Sequence, residues 1–70
     1  RPEHALALFQ KALSEDSSRE NIHREVMQLY AQMGRRSEAA GHFQKLAEDL
    51  EKTGAKPAKD TRALYDKIMS

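Results

Sequence analysis

The feature that most constrains this chain is an apolar pattern that returns along its length. Phe9-Gln10-Lys11 recurs as Phe43-Gln44-Lys45 at an offset of 34, and at the same offset Ala5 matches Ala39 and Ala12 matches Leu46. Leu29-Tyr30-x-x-Met33 recurs as Leu64-Tyr65-x-x-Ile68 at an offset of 35. A period of this size marks a repeat array. Each unit is one supersecondary element that cannot bury its apolar face alone, and its neighbours supply the missing partner.

Within that period the 3.6-residue rhythm predicts four helices and no strand. The first spans 2–14, with Pro2 at N1 and a stripe of Ala5, Phe9, Ala12 and Leu13. The second spans 18–33, with Ser17 and Glu20 as a capping box and a stripe of Ile22, Val26, Leu29, Tyr30 and Met33. Gly34 ends it, because only glycine enters the left-handed C′ geometry without a Cβ penalty. The third spans 37–53, with Ser37 as N-cap, a stripe of Ala39, Phe43, Leu46, Ala47 and Leu50, and Gly54 at its end. Gly54-Ala55-Lys56-Pro57 is the linker, and the fourth helix spans 58–69 with Leu64, Tyr65 and Ile68 inward. The short turn at Gly34 folds the second and third helices back antiparallel, and Ala39 and Ala40 let their axes approach closely. The expected core is Phe9, Val26, Tyr30, Gly34, Ala39, Phe43, Leu46, Leu64, Tyr65 and Ile68.

Composition narrows the function. Seventy residues are expected to form a single domain, 1–70, whose core supplies no more than about 3–5 kcal/mol. Cysteine is absent, so neither a disulfide nor a thiolate zinc site holds the chain together. Twelve Lys and Arg oppose 11 Asp and Glu, which is not the one-sign excess of an autonomous nucleic-acid binder. No apolar run is long enough to span a membrane, and Arg1-Pro2-Glu3-His4 has no apolar signal region. A start without Met suggests a fragment of a longer chain.

Tyr30, Gly34, Ala39 and Phe43 follow one another at the steps of a tetratricopeptide repeat, and the chain resembles that repeat here. Met27 stands where the repeat usually has a small residue, and Leu46 where a second Ala is usual. These departures point to a more particular relative. Residues 20–69 resemble the bacterial transcriptional activator domain, the tetratricopeptide-like module that follows the winged-helix domain of antibiotic-pathway regulators. The residues that carry the resemblance are Glu20, His23, Met27, Leu29, Tyr30, Gly34, Glu38, Ala39, Phe43, Leu46, Leu50, Gly54, Pro57, Thr61, Leu64, Tyr65 and Ile68.

The resemblance implies an all-α, right-handed array of four antiparallel helices, in which residues 2–14 are the second helix of a preceding repeat. It implies a cytoplasmic protein–protein contact or self-association module of a transcription regulator. Its partners would be other domains of the same regulator or another copy of itself, with DNA bound through a separate domain. A tetratricopeptide adaptor unrelated to transcription, and a helical domain weakly contacting the DNA backbone through Arg35, Arg36, Lys56, Lys59, Arg62 and Lys67, remain open as alternatives.

No constellation argues for bond-making chemistry. His4, His23 and His42 lack the i, i+4 spacing of a helical zinc site; His4 and His42 could approach across helices, with Glu38 near, but His23 reads as a packing residue. The serines fall at turns and caps, Glu48 pairs with Lys52 at i, i+4, and there is no Gly-rich phosphate loop. No catalytic residue, metal or cofactor is therefore expected. A binding surface is argued from repeat geometry instead, in which first helices line a concave face. Asn21, Arg24, Glu25, Gln28 and Gln32 would face it from the second helix, with Lys59, Ala63, Asp66 and Lys67 from the fourth. On the first helix Leu6, Leu8 and Leu13 cannot all face the second, which leaves an apolar side for an upstream helix or self-association.

Overall fold

In the computed structural model all residues, 1–70, are described, and they form four helices and no strand. These are α1 (Pro2–Glu15), α2 (Glu20–Gln32), α3 (Arg36–Glu51) and α4 (Lys59–Met69). Each helix packs on the next, and α2 also packs on α4. The array is a slab measuring 35 × 31 × 17 Å.

The two glycine turns fold as the sequence predicts. Gly34 has φ +75°, its N–H donates to Ala31 O at 3.0 Å, and the Arg35 N–H donates to Tyr30 O at 2.7 Å. Gly54 has φ +76°, with Gly54 N–H to Glu51 O and Ala55 N–H to Leu50 O both at 2.9 Å. These paired bonds are Schellman motifs, which satisfy the last carbonyls and reverse the chain.

The helix starts differ from expectation. No helix has a side-chain cap of its own: the N-cap residues are Arg1, Arg19, Arg35 and Ala58. Ser17 and Glu20 form no capping box. The Ser17 carbonyl accepts from His23 Nε2 at 2.8 Å, while the Glu20 carboxylate reaches α4. Asp16 orders the α1–α2 turn instead, accepting the Ser18 hydroxyl at 2.6 Å and the Ser18 N–H at 3.1 Å. Those bonds hold its carboxyl below the usual carboxylate range. Ser37 is no cap either: α3 begins one residue earlier, and Ser37 sits exposed in its first turn.

The core lies along the α2–α3 seam. Val26, Met27, Ala39, Phe43 and Leu46 are buried there with Ile22 and His23. Burying a ring such as Phe43 contributes roughly 1.5–3 kcal/mol. Phe9, Tyr30, Leu64, Tyr65 and Ile68, expected in the core, are only half-buried, and Gly34 is exposed at its turn. The reason is position. α1 packs on α2 alone and α4 lies at the other edge, so both edge helices meet neighbours along one side. The stripe of α1 is also rotated: Leu6 is its buried residue and Leu8 is 57% exposed.

Two corresponding aromatic positions behave differently. Phe43 stacks on Tyr65, with centroids 4.2 Å apart and planes 15° from parallel. At the equivalent place in the first pair, Tyr30 OH takes a hydrogen bond from Gln10 Nε2 at 3.1 Å.

Candidate interaction surface

Four side chains of α2 form a continuous outer stripe. Asn21, Glu25, Gln28 and Gln32 follow at steps of four, three and four, one face of a helix, and all are exposed. Lys59, Ala63 and Lys67 repeat at steps of four on α4, with Asp66 beside them, and are exposed too. None of the α2 stripe residues, nor Lys59 or Lys67, spends a side-chain polar atom on a bond within the chain, so their donors and acceptors point to water.

A polar cluster ties the N-terminal ends of α2 and α4 together. Glu20 Oε2 accepts the Thr61 hydroxyl at 2.6 Å and the Ala58 N–H at 2.6 Å. Arg24 Nη1 donates to Thr61 Oγ1 at 2.9 Å and lies 4.0 Å from Glu20 Oε2. Thr61 is completely buried. At the other end of α4, Arg36 donates from Nε to Ile68 O at 3.1 Å and from Nη2 to Met69 O at 3.2 Å. α2 therefore runs parallel to α4, and α4 receives an anion at its positive end and a cation at its negative end.

This arrangement redistributes the expected roles. Arg24, assigned from sequence to the binding stripe, is half-buried and committed to Thr61. Of the basic residues offered for DNA-backbone contact, Arg36 serves the end of α4 and Arg35 pairs with Glu38 at 3.7 Å. Asp49, not Glu48, gathers the lysines of α3 and its end: Lys45 at 3.1 Å and Lys52 at 3.8 Å. The lysine bond holds the Asp49 carboxyl below its ordinary range. His42 meets His23, not His4. No group of three or more His, Asp or Glu side chains is arranged to hold a metal.

Sequence reasoning missed Leu6, Met27 and Thr61 as buried positions, although periodicity carried a signal for Leu6 and Thr61. Thr61, Leu64, Tyr65 and Ile68 are spaced as one inward stripe, and Leu6, Phe9 and Leu13 as another. Nothing in the sequence pointed Glu20 at α4.

A family model for the bacterial transcriptional activator domain matches residues 1–69. The chain belongs to that family. The match takes in α1, which lay outside the stretch whose residues carried the resemblance. Membership places this activator domain in transcription regulation, and so sets aside the adaptor unrelated to it. No curated protein and no solved structure matches the chain. No helix of the activator domain is long and apolar enough to cross a membrane.

Proposed function

We propose that this activator domain is a non-catalytic protein–protein interaction or self-association module of a bacterial transcription regulator, working in the cytoplasm as a single unit over 1–70. One observation carries the reading: α2 and α4, each with an exposed polar stripe, are fixed in parallel by the half-buried Glu20 and Arg24 side chains meeting the buried Thr61. A rigid surface of unengaged Asn, Gln, Glu and Lys side chains can hydrogen-bond and ion-pair an incoming helix or extended segment without first ordering itself. The partner is another domain of the same regulator or a second copy of the chain, and DNA is reached through a separate domain.

Chemical-shift mapping tests this. The labelled domain is titrated with its unlabelled self and with the DNA-binding domain of its own regulator. Shifts confined to Asn21, Glu25, Gln28, Gln32, Lys59, Ala63 and Lys67 support the surface. Shifts confined to the Leu8 side of α1, or none with either probe, overturn it.

A second reading has one observation in its favour. Lys56, Pro57, Lys59 and Arg62 line an open hollow of about 380 Å³ at the start of α4, a place for a phosphate of a DNA backbone. Arg62 also faces Asp66 at 3.5 Å, which leaves few free cations. A gel shift seen at low salt that fades by about 150 mM favours this reading, because a handful of phosphate contacts is lost there, and no shift at low salt removes it.

A further inference from the structure

We propose that His23 and His42 form a one-proton clasp between α2 and α3, which accommodates a single added proton and is split by a second. This goes beyond the binding role and does not depend on it.

The geometry fixes the protons. His23 Nδ1 lies 2.8 Å from His42 Nε2, with the ring centroids 5.0 Å apart and the planes inclined at 45°. His23 Nε2 lies 2.8 Å from the Ser17 carbonyl, which can only accept. Neutral His23 therefore carries its proton on Nε2 and presents a bare Nδ1. His42 must then donate from Nε2. One added proton keeps the bridge: it enters at His42 Nδ1, and the single proton already in the bridge is held by either His42 Nε2 or His23 Nδ1. With a second proton both facing nitrogens are donors, two cations oppose one another, and neither has an acceptor in the bridge.

The surroundings give the second proton no help. From the α1–α2 turn the group facing His23 is the neutral Ser17 carbonyl, and Asp16 is occupied by Ser18, with Arg19 near. From α3, Asp49 feels the charge of His23 but is already bound by Lys45 and Lys52. On α2 itself, Glu20 and Arg24 turn toward Thr61 of α4. The charged residues of α1, Glu3, Lys11 and Glu15, are exposed. Burial, and then the charge of His23, push His42 down to about 4. A hollow of about 240 Å³ lined in part by Ser17, His23 and Asp49 gives water a path to the clasp. Because the pair ties α2 to α3 beside the buried Val26 and Phe43, the second proton loosens the seam that supports the α2 stripe.

Imidazole nitrogen NMR across an acid titration of the intact chain tests the clasp. At neutral pH, both His23 and His42 are expected as Nε2–H tautomers with scalar coupling across Nδ1···Nε2. His42 then takes its own late step near pH 4, together with loss of amide protection along the α2–α3 seam. Exposed His4 serves as the isolated reference. Absence of coupling, with His23 and His42 each titrating in one step like His4, overturns the proposal. His42→Gln is expected to remove the late step from the pH dependence of the melting temperature, while His4→Gln leaves it in place. A His42→Gln profile parallel to that of the parent also overturns it.

Discussion

The Thr61 hydroxyl donates to Glu20 Oε2 at 2.6 Å, joining α4 to α2 across 41 positions of sequence. Since the same oxygen takes the Ala58 N–H, Glu20 is the N-terminal cap that α4 lacks in its own sequence. Arg36 completes the helix at its other end. An eleven-residue helix is marginal in water on its own, so these ties and the packing against α2 and α3 decide whether it forms.

Thr61→Val keeps the shape of the side chain but removes the hydroxyl, leaving Glu20 and Arg24 without their shared partner. It is expected to lower stability by about 1–3 kcal/mol in urea unfolding. Glu20→Ala and Thr61→Val should be strongly non-additive in a double-mutant cycle. Arg24→Glu should destabilise as well, because it sets a carboxylate against Glu20. Additive single effects would mean that the cluster does not form in solution.

Phe43→Ala removes a buried ring and the stack on Tyr65. The expected loss is about 3–5 kcal/mol, comparable with the whole stability of so small a core, so helical circular dichroism at room temperature should collapse. Tyr65→Leu, at a half-buried position, should cost clearly less.

Two glycines should respond with opposite signs. Gly34 has φ +75° and no atom within 4 Å of where a Cβ would lie, so Gly34→Val is opposed by backbone strain alone, about 1–3 kcal/mol. Gly41 lies inside α3 with equally open surroundings and no positive φ. Gly41→Ala should therefore stabilise by about 0.5–1 kcal/mol. Thermal melting of the two variants checks both signs.

Stability should fall as the solution is acidified, in two separate windows. His42 has its ordinary value of 6.5 in the unfolded chain and about 4 in the fold, so the folded state binds fewer protons between them. Its contribution is complete above 6.5 and is lost progressively as pH falls toward 4. Water at the half-buried ring screens the effect, leaving about 1–2 kcal/mol. Asp16 and Asp49 are depressed below 3.8, so their contribution is present above that value and is lost only as pH falls further. Unfolding free energies that stay flat from pH 6.5 to 4 would contradict the His42 assignment.

Local chemistry was readable in the chain. Helix periodicity placed four helices, and Gly34 and Gly54 marked where the second and third end, since a positive φ is a property of one residue and its immediate neighbours. The helix starts were less legible. Ser17, Glu20 and Ser37 suit capping by type, but a carboxylate bonds wherever the strongest donors stand, and for Glu20 those are on α4. For the surface, spacing alone grouped Asn21, Glu25, Gln28 and Gln32, yet it also admitted Arg24, whose long side chain turns inward to a buried hydroxyl.

By itself, the sequence determined the number of helices, the two glycine turns, the apolar seam of α2 and α3, and the family to which the chain belongs. Each of these follows from residue type at a fixed spacing, which acts over one or two helical turns. Only the tertiary structure decided that Glu20 and Arg36 cap α4 from other helices, that His23 meets His42, and that α1 and α4 keep their stripes half open. Those outcomes depend on which side chains come within bonding distance once the helices have packed, and no spacing along the chain encodes that distance.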